Sequence, residues 1–373
     1  MTDVAIVGAG VIGASVAYWL TRMAPSLSVT LIERDRSFSQ ASSALSASSI
    51  RQQFSSPVNI RMSLFGAQFL REMGIALEEH GYLYLGNADA LKAVHEVQEQ
   101  NGADVALLGP DEIKARFPWL NVDDIELGAL GLSGEGWFDG AALHSALLQK
   151  ACVQGAKLVQ GSVVGFERSN ARVHGVTLAD GARIACSHAV NAAGPWARSL
   201  AAAAGITLPV HARRRTVFVL SCPQKLAACP LVVDPSNFWF RPEGAHFIAG
   251  AEPRIDSDDL PLEPDYAEFD EGLWTRMARR VPAFEALRVE RAWAGYYEMN
   301  LFDHNAVIGA HPALQNLWFA NGFSGHGMQH AAAAGRGIAE LILCGAFRTL
   351  DLAPLGFARL LEGRPLREAN VIG

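Results

Sequence analysis

The sequence is short of cysteine: 373 residues hold five, Cys152, Cys186, Cys222, Cys229 and Cys344, odd in number and without a C-x-x-C spacing. That pattern excludes a disulfide framework and a zinc site, and the expectation is reduced thiols in a cytoplasmic protein. Positive charge is also scarce. Thirty-one lysines and arginines face 38 acids, giving a net charge of −7 and a pI near 5.9. Nucleic acid, which selects a basic face, is therefore not an expected partner. The one dense basic run, Arg213-Arg214-Arg215, reads as a solvated strand start. Residues 4–20 come nearest to a membrane span or signal peptide. They lack a basic leader and carry three glycines, so neither is expected. Repeats, low-complexity linkers and metal-ligand spacings are absent. What is present is a chain expected to be soluble and well buried, 50% hydrophobic and long enough for two cores.

The glycines carry the first chemistry. A strand, Asp3–Val7, runs into Gly8-Ala9-Gly10-Val11-Ile12-Gly13 and an apolar helix ending near Leu20; a second strand, Val29–Ile32, ends at Glu33. This spacing makes a site for the ADP half of a dinucleotide. Gly8 permits the tight turn, Gly10 lets backbone approach a pyrophosphate, and Gly13 lets helix and sheet pack closely. The helix N-terminus offers free N–H groups and partial positive charge. Glu33 would accept both ribose hydroxyls and repel a 2′-phosphate, which argues against NADP.

Further elements fall into separated pieces. After the Ser/Ala-rich stretch Ser37–Ser49, a helix is predicted over Pro57–His80, then a strand at Gly81–Leu85 and helices near Asp89–Asn101 and Pro110–Phe117. A helix over Ala141–Gly155 opens the second piece. A meander of strands follows (Lys157–Gln160, Ser162–Arg168, Val173–Leu178), then Ile184–Cys186, a strand at His188–Asn191 and the turn Ala192–Trp196. Alternating strands dominate from Val217 to Tyr297 (Val217–Leu220, Leu231–Val233, Phe238–Arg241, His246–Gly250, Arg291–Tyr297), with one helix near Tyr266–Arg280. Leu317–Ala320, a third glycine cluster and a helix from Met328 to about Leu343 close the chain. The expected class is α/β, α+β overall: a Rossmann-like dinucleotide domain of residues 1–83, 140–215 and 300–373, and a mainly antiparallel-sheet substrate domain of 84–139 and 216–299.

NAD and FAD share the first motif, so the later glycines decide. A flavin needs backbone donors around its ring from distant segments. Gly322-Phe323-Ser324-Gly325-His326-Gly327 follows a buried strand and opens into a helix, whose positive end would stabilise the negative charge of reduced flavin. An NAD-linked dehydrogenase is disfavoured. A tight turn with His326 filling a polar pocket is the plain structural alternative.

In this order, Gly8–Gly13, Glu33-Arg34, Asn191–Ala197 and Gly322–Gly327 resemble the D-amino-acid oxidase superfamily of flavoproteins, and within it the branch holding glycine oxidase, monomeric sarcosine oxidase and dimethylglycine dehydrogenase. Ile50–Ser55 with Pro57–Ile60 is also similar to a mitochondrial FAD-dependent oxidoreductase implicated in respiratory complex I assembly. The resemblance spans essentially the whole chain. It implies FAD, and oxidation of the C–N bond of a small amine or amino acid, of N-methyl or D-amino-acid type, by hydride transfer to flavin N5. It also implies that Gly8, Gly10, Val11, Ile12 and Gly13 wrap the pyrophosphate, Glu33 holds the ribose, Arg34 flanks the adenine and Val164 meets it through backbone atoms. Ala193, Gly194 and Trp196 would line the ADP side. Ser42, Ser43, Ser48 and Ser49 would run beside the pyrophosphate and ring. Gly322, Phe323, Ser324, Gly325, His326, Gly327, Met328 and Gln329 would surround the flavin.

Departures from the family pattern matter as much. Arg51 aligns with an arginine that clamps the substrate carboxylate in sarcosine oxidases, a role suited to a planar guanidinium. The lysine that partners it there is Gln329 here. A second lysine, which promotes reaction of reduced flavin with oxygen, aligns approximately with Ile248. A dehydrogenase using another, unidentified electron acceptor is therefore expected rather than an efficient oxidase. The family's attachment positions fall at Gly295-Tyr296 and in Ser42–Ser49, which offer neither cysteine nor histidine, so FAD is expected to be non-covalent. Arg51, His246, Tyr296, Tyr297, His326 and Gln329 are the candidate site wall, where positioning and exclusion of water count for more than a strong base. The alternative, kept open by the two missing lysines, is a flavin-bound assembly or scaffold protein with little catalysis.

Overall fold

The computed structural model describes residues 2–258 and 260–368; the tail 369–373, assigned by sequence to the dinucleotide domain, lies outside the described residues. Two eight-stranded sheets organise the chain. In the first, Thr2–Val7 lies between Arg183–Asn191 and Val29–Glu33, parallel to both, and Lys157–Gln160 extends the sheet past Val29–Glu33. A central parallel strand is covered on both faces, and Val4, Ala5 and Ile6 accordingly have no exposed surface. The two short strands expected at Ile184–Cys186 and His188–Asn191 are one. Its first residues pair antiparallel with Arg172–Leu178 and its last pair parallel with Leu314–Asn321.

Helices Val11–Met23 and Gly327–Cys344 pack against each other beside this sheet. A Cβ at Gly335 would lie 2.6 Å from the Ser15 carbonyl carbon, so glycine is what allows the close approach. Trp19 Nε1 donates to Ala332 O at 3.0 Å and fixes the crossing. The helix predicted over Pro57–His80 stops at Met73. Gly74 adopts a left-handed conformation (φ 71°) and returns its N–H to the last carbonyls, and Leu77–Glu78 then pairs with Gly136–Phe138.

The second sheet runs Arg288–Asn300, Val210–Ser221, His246–Ala251, Phe238–Glu243, Leu231–Asp234, Tyr82–Gly86, Leu127–Gly131, Val105–Leu108. It is antiparallel except where Leu231–Asp234 meets Tyr82–Gly86 in parallel. One face buries Phe218, Phe240, Phe247 and Phe284 together; the other carries Tyr82, Tyr84, Val217, Trp239 and Ile248. Its two longest strands extend well past their predicted bounds because Arg213, Arg214 and Arg215 belong to the ladder, opposite Tyr297, Tyr296 and Gly295. The basic run is not a solvated strand start. Arg214 and Arg215 are buried, and the three arginines pair with Asp258, Asp265 and Asp256 at 3.4, 3.1 and 2.8 Å. Ion pairing across a loop distant in sequence makes a charged strand buriable, which local composition cannot reveal. No helix among the described residues is long and apolar enough to cross a membrane.

Candidate active site

A cavity of about 530 Å³ takes its walls from both sheets. At one end the helix Val11–Met23 begins at Gly10 with neither a side-chain cap nor an acid in its first turn, so its positive terminus faces the cavity. Gly8 turns the chain there at φ 96°, and a Cβ on it would strike the Ala192 carbonyl. Gly10 has room: a Cβ would meet Ser43 Oγ at 3.4 Å. Both Glu33 oxygens accept backbone N–H groups, Ala9 at 2.8 Å and Asp35 at 3.0 Å, and each keeps a lone pair for a ribose hydroxyl. Arg34 stacks on Trp196 at 3.5 Å, forming a flat wall. Val164 is the extra residue of a bulge between Val163 and Gly165, which takes its backbone out of the ladder.

A strap, residues 37–49, covers the cavity and is pinned to the second sheet at three points. Ser42 Oγ donates to Tyr296 O (2.6 Å), Trp293 Nε1 to Leu45 O (2.9 Å) and Arg241 to Ala47 O (2.8 Å). Ser42 therefore spends its proton on the protein. Ser43 Oγ is buried with no protein partner, the kind of orphan a phosphate oxygen or flavin edge satisfies. A second helix N-terminus, Gly327–Cys344, opens on the same cavity, again without a side-chain cap or first-turn acid. Two uncapped termini, a glycine cradle and an orphaned hydroxyl fit FAD.

Arg51 is almost wholly buried (1% exposed), its guanidinium 3.9 Å over the Phe54 ring, donating to Gln53 O at 2.5 Å and meeting His326 Nε2 at 3.1 Å. Its charge also acts on two buried acids. Glu135 accepts from Gln52 N (2.5 Å) and Gln53 Nε2 (2.9 Å), and burial pushes its carboxyl up to about 7 despite those bonds and Arg51. Glu368 accepts from Ser55 and Ser56. Burial works to raise it, but those bonds and the Arg51 charge hold it below the usual range. Burial, then Arg51, drive His326 well below its ordinary value, so the ring is neutral. Gln329 presents Oε1 to the Arg51 backbone N–H at 2.9 Å.

Of the residues expected from sequence, the cavity is lined by Gly8, Gly10, Val11, Ile12, Glu33, Arg34, Ser42, Ser43, Ser48, Ser49 and Arg51 in the first part of the chain. Val164, Ala193, Gly194, Trp196, Tyr296, Tyr297, Phe323, Gly325, His326, Gly327, Met328 and Gln329 line it later on. Four do not. His246 sits exposed beside the hairpin tip, paired with Glu243, because the strand begins at the outer rim of the sheet. Gly13 lies behind the cradle, where a Cβ would meet the Gly8 carbonyl carbon at 3.0 Å, so it serves packing. Gly322 (φ 75°) backs onto Val210 and Asn300, and Ser324 Oγ bonds Asn300 N at 3.0 Å; both shape the turn rather than face the cavity. Ile248 is buried opposite Val219 and Arg241, outside the lining. Sequence reading missed Tyr82, Trp239, Arg215 and Glu298. For Glu298 a signal existed: one acid in a strand end that is otherwise apolar or amide.

A dinucleotide cradle opening onto a sheet-walled chamber defines a flavin-dependent oxidoreductase. The chain matches the family described as "DAO: FAD dependent oxidoreductase" over residues 3–341, and it belongs to that family. It is 40% identical to FAD-dependent oxidoreductase domain-containing protein 1 of Xenopus laevis, over 99% of this chain and 85% of that one. Among solved structures it is similar to L-proline dehydrogenase from P. horikoshii, with TM-score 0.88 and 27% identity over 98% of this chain and 99% of that one. Glycine oxidase from Geobacillus kaustophilus gives TM-score 0.80 and 26% identity over 96% and 98%.

Proposed function

We propose that this protein is an amino-acid dehydrogenase that holds FAD non-covalently and oxidises the carbon–nitrogen bond of a small amino acid. The observation that carries the reading is the pair of uncapped helix N-termini opening on one cavity that also reaches Arg51. Bound FAD supplies the acceptor for the hydride leaving the carbon beside the substrate nitrogen. Tyr82, Trp239 and Tyr297 wall the chamber and exclude water, and neutral His326 with Arg51 presents a polar edge. Arg51 orients the substrate carboxylate, but Glu135 and Glu368 already offset part of its charge, so the carboxylate is held weakly.

Non-covalent binding is supported by the lining, which among the described residues holds no cysteine and one histidine, His326, tied to Arg51. Slow reaction with oxygen is supported by the absence of all five lysines, Lys92, Lys114, Lys150, Lys157 and Lys225, from that lining. The substrate class follows from the names of the two structural neighbours, which act on proline and glycine. Anaerobic mixing with a panel of amino acids and N-methyl amino acids tests the reading. Bleaching of the flavin by at least one is expected, and acid should release free FAD.

A second reading, a flavin-bound scaffold with little catalysis, is favoured by Arg51 being so fully engaged within the protein. A flavin that no member of the panel reduces would put that reading first.

A further inference from the structure

Glu298 stands near the end of strand Arg288–Asn300, buried, and lines the cavity beside Phe323, His326 and Gly327. Its Oε2 accepts from Gly322 N at 3.0 Å, and the Phe323 N–H also bonds the carboxyl. Its Oε1 lies 3.7 Å from the position a Cβ would take on Gly327, the first residue of helix Gly327–Cys344. That helix has no acid in its own first turn. The acid at its N-terminus is delivered instead by a strand of the other sheet.

We propose that Glu298 tunes the bound flavin: its carboxylate cancels part of the positive field of the helix N-terminus and so lowers the flavin's reduction potential. The inference rests on the FAD reading above. A helix N-terminus carries roughly half a positive charge, which favours the negative charge a flavin gains on reduction. A full negative charge set against that terminus, in a site screened from water, removes much of the advantage.

Burial raises the Glu298 carboxyl to about 7, against the two backbone N–H groups that hold it down. The protein therefore carries both forms near neutrality. Arg51, Arg215 and His326 share the cavity, and His211 and Arg213 flank Ala212, which faces Glu298 on the paired strand. Burial, then the charge of Arg51, keeps His326 neutral. Asp258 pairs with both His211 (2.7 Å) and Arg213.

The test compares flavin-loaded wild type, Glu298→Gln and Glu298→Asp by anaerobic equilibration with reference dyes at pH 8.5 and 5.5. Flavin content is read from the visible spectrum. At pH 8.5 Glu298→Gln should favour reduced over oxidised flavin about tenfold more than wild type, about 30 mV for a two-electron couple. Glu298→Asp, which restores the charge, should return toward wild type. At pH 5.5, with Glu298 protonated, wild type and Glu298→Gln should converge. Equal potentials at pH 8.5, or a gap that persists unchanged at pH 5.5, would overturn the proposal. So would a Glu298→Gln protein unable to retain flavin, which would make Glu298 a clamp of the 322–323 turn. Wild type that binds no flavin would instead refute the underlying FAD reading.

Discussion

Replacing Arg51 by lysine separates a substrate-binding guanidinium from a purely structural one. Arg51→Ala would not: it removes a buried positive charge that also acts on Glu135 and Glu368, which confounds any binding measurement. Lysine keeps the positive charge and gives up the planar fork. The bonds to Gln53 O and His326 cannot both be kept, nor can the flat stacking on Phe54. Against a small carboxylate the lost contact is worth about 1.5–3 kcal/mol, roughly 10- to 150-fold in Kd. Titrating the visible flavin spectrum with acetate, glycolate or proline analogues, wild type against Arg51→Lys, reads this directly. A variant that melts lower but binds the same carboxylates equally well would refute the reasoning and reduce Arg51 to an internal ion.

Gly10→Val should fold normally yet purify without flavin, because a Cβ there meets only Ser43 Oγ at 3.4 Å while occupying the phosphate space; retained stoichiometric flavin would undo the assignment of the first glycine motif. Reduced protein should reoxidise slowly in air and rapidly with a phenazine or quinone, and stopped-flow rates with oxygen like those of an efficient oxidase would contradict a lysine-free lining. Glu135, raised from 4.5 to about 7, contributes stability that is complete below pH 4.5 and lost as pH climbs through 7. Urea unfolding at pH 5 and 7.5 should therefore show wild type losing up to ~3 kcal/mol more than Glu135→Gln; equal losses would mean that Glu135 titrates normally.

Glycines and strand ends were readable from sequence because they obey local rules. Gly8 turns the chain at φ 96°, Gly10 leaves room beside Ser43 and Glu33 lines the same cavity, an arrangement that the spacing alone implies. The strands were located to within a few residues wherever apolar alternation was unbroken. Legibility failed where distant segments decide. Arg213–Arg215 became strand only through Asp256, Asp258 and Asp265, and His246 was misplaced because alternation gives a face but not the distance to a cavity. Arg51 was found by resemblance, yet its company, Glu135 from one turn and Glu368 from near the end of the chain, could not be seen along the sequence.

The strand Arg183–Asn191 pairs with residues 2–7 on one side and 314–321 on the other, and the cavity closes only with Gly327–Gln329. During synthesis, then, the chamber has its last wall only once Gly327–Gln329 have followed the strand at residues 2–7 out of the ribosome. Until that point the inner face with Tyr82, Trp239 and Val217 stands open, an apolar surface of the kind that invites chaperones or self-association.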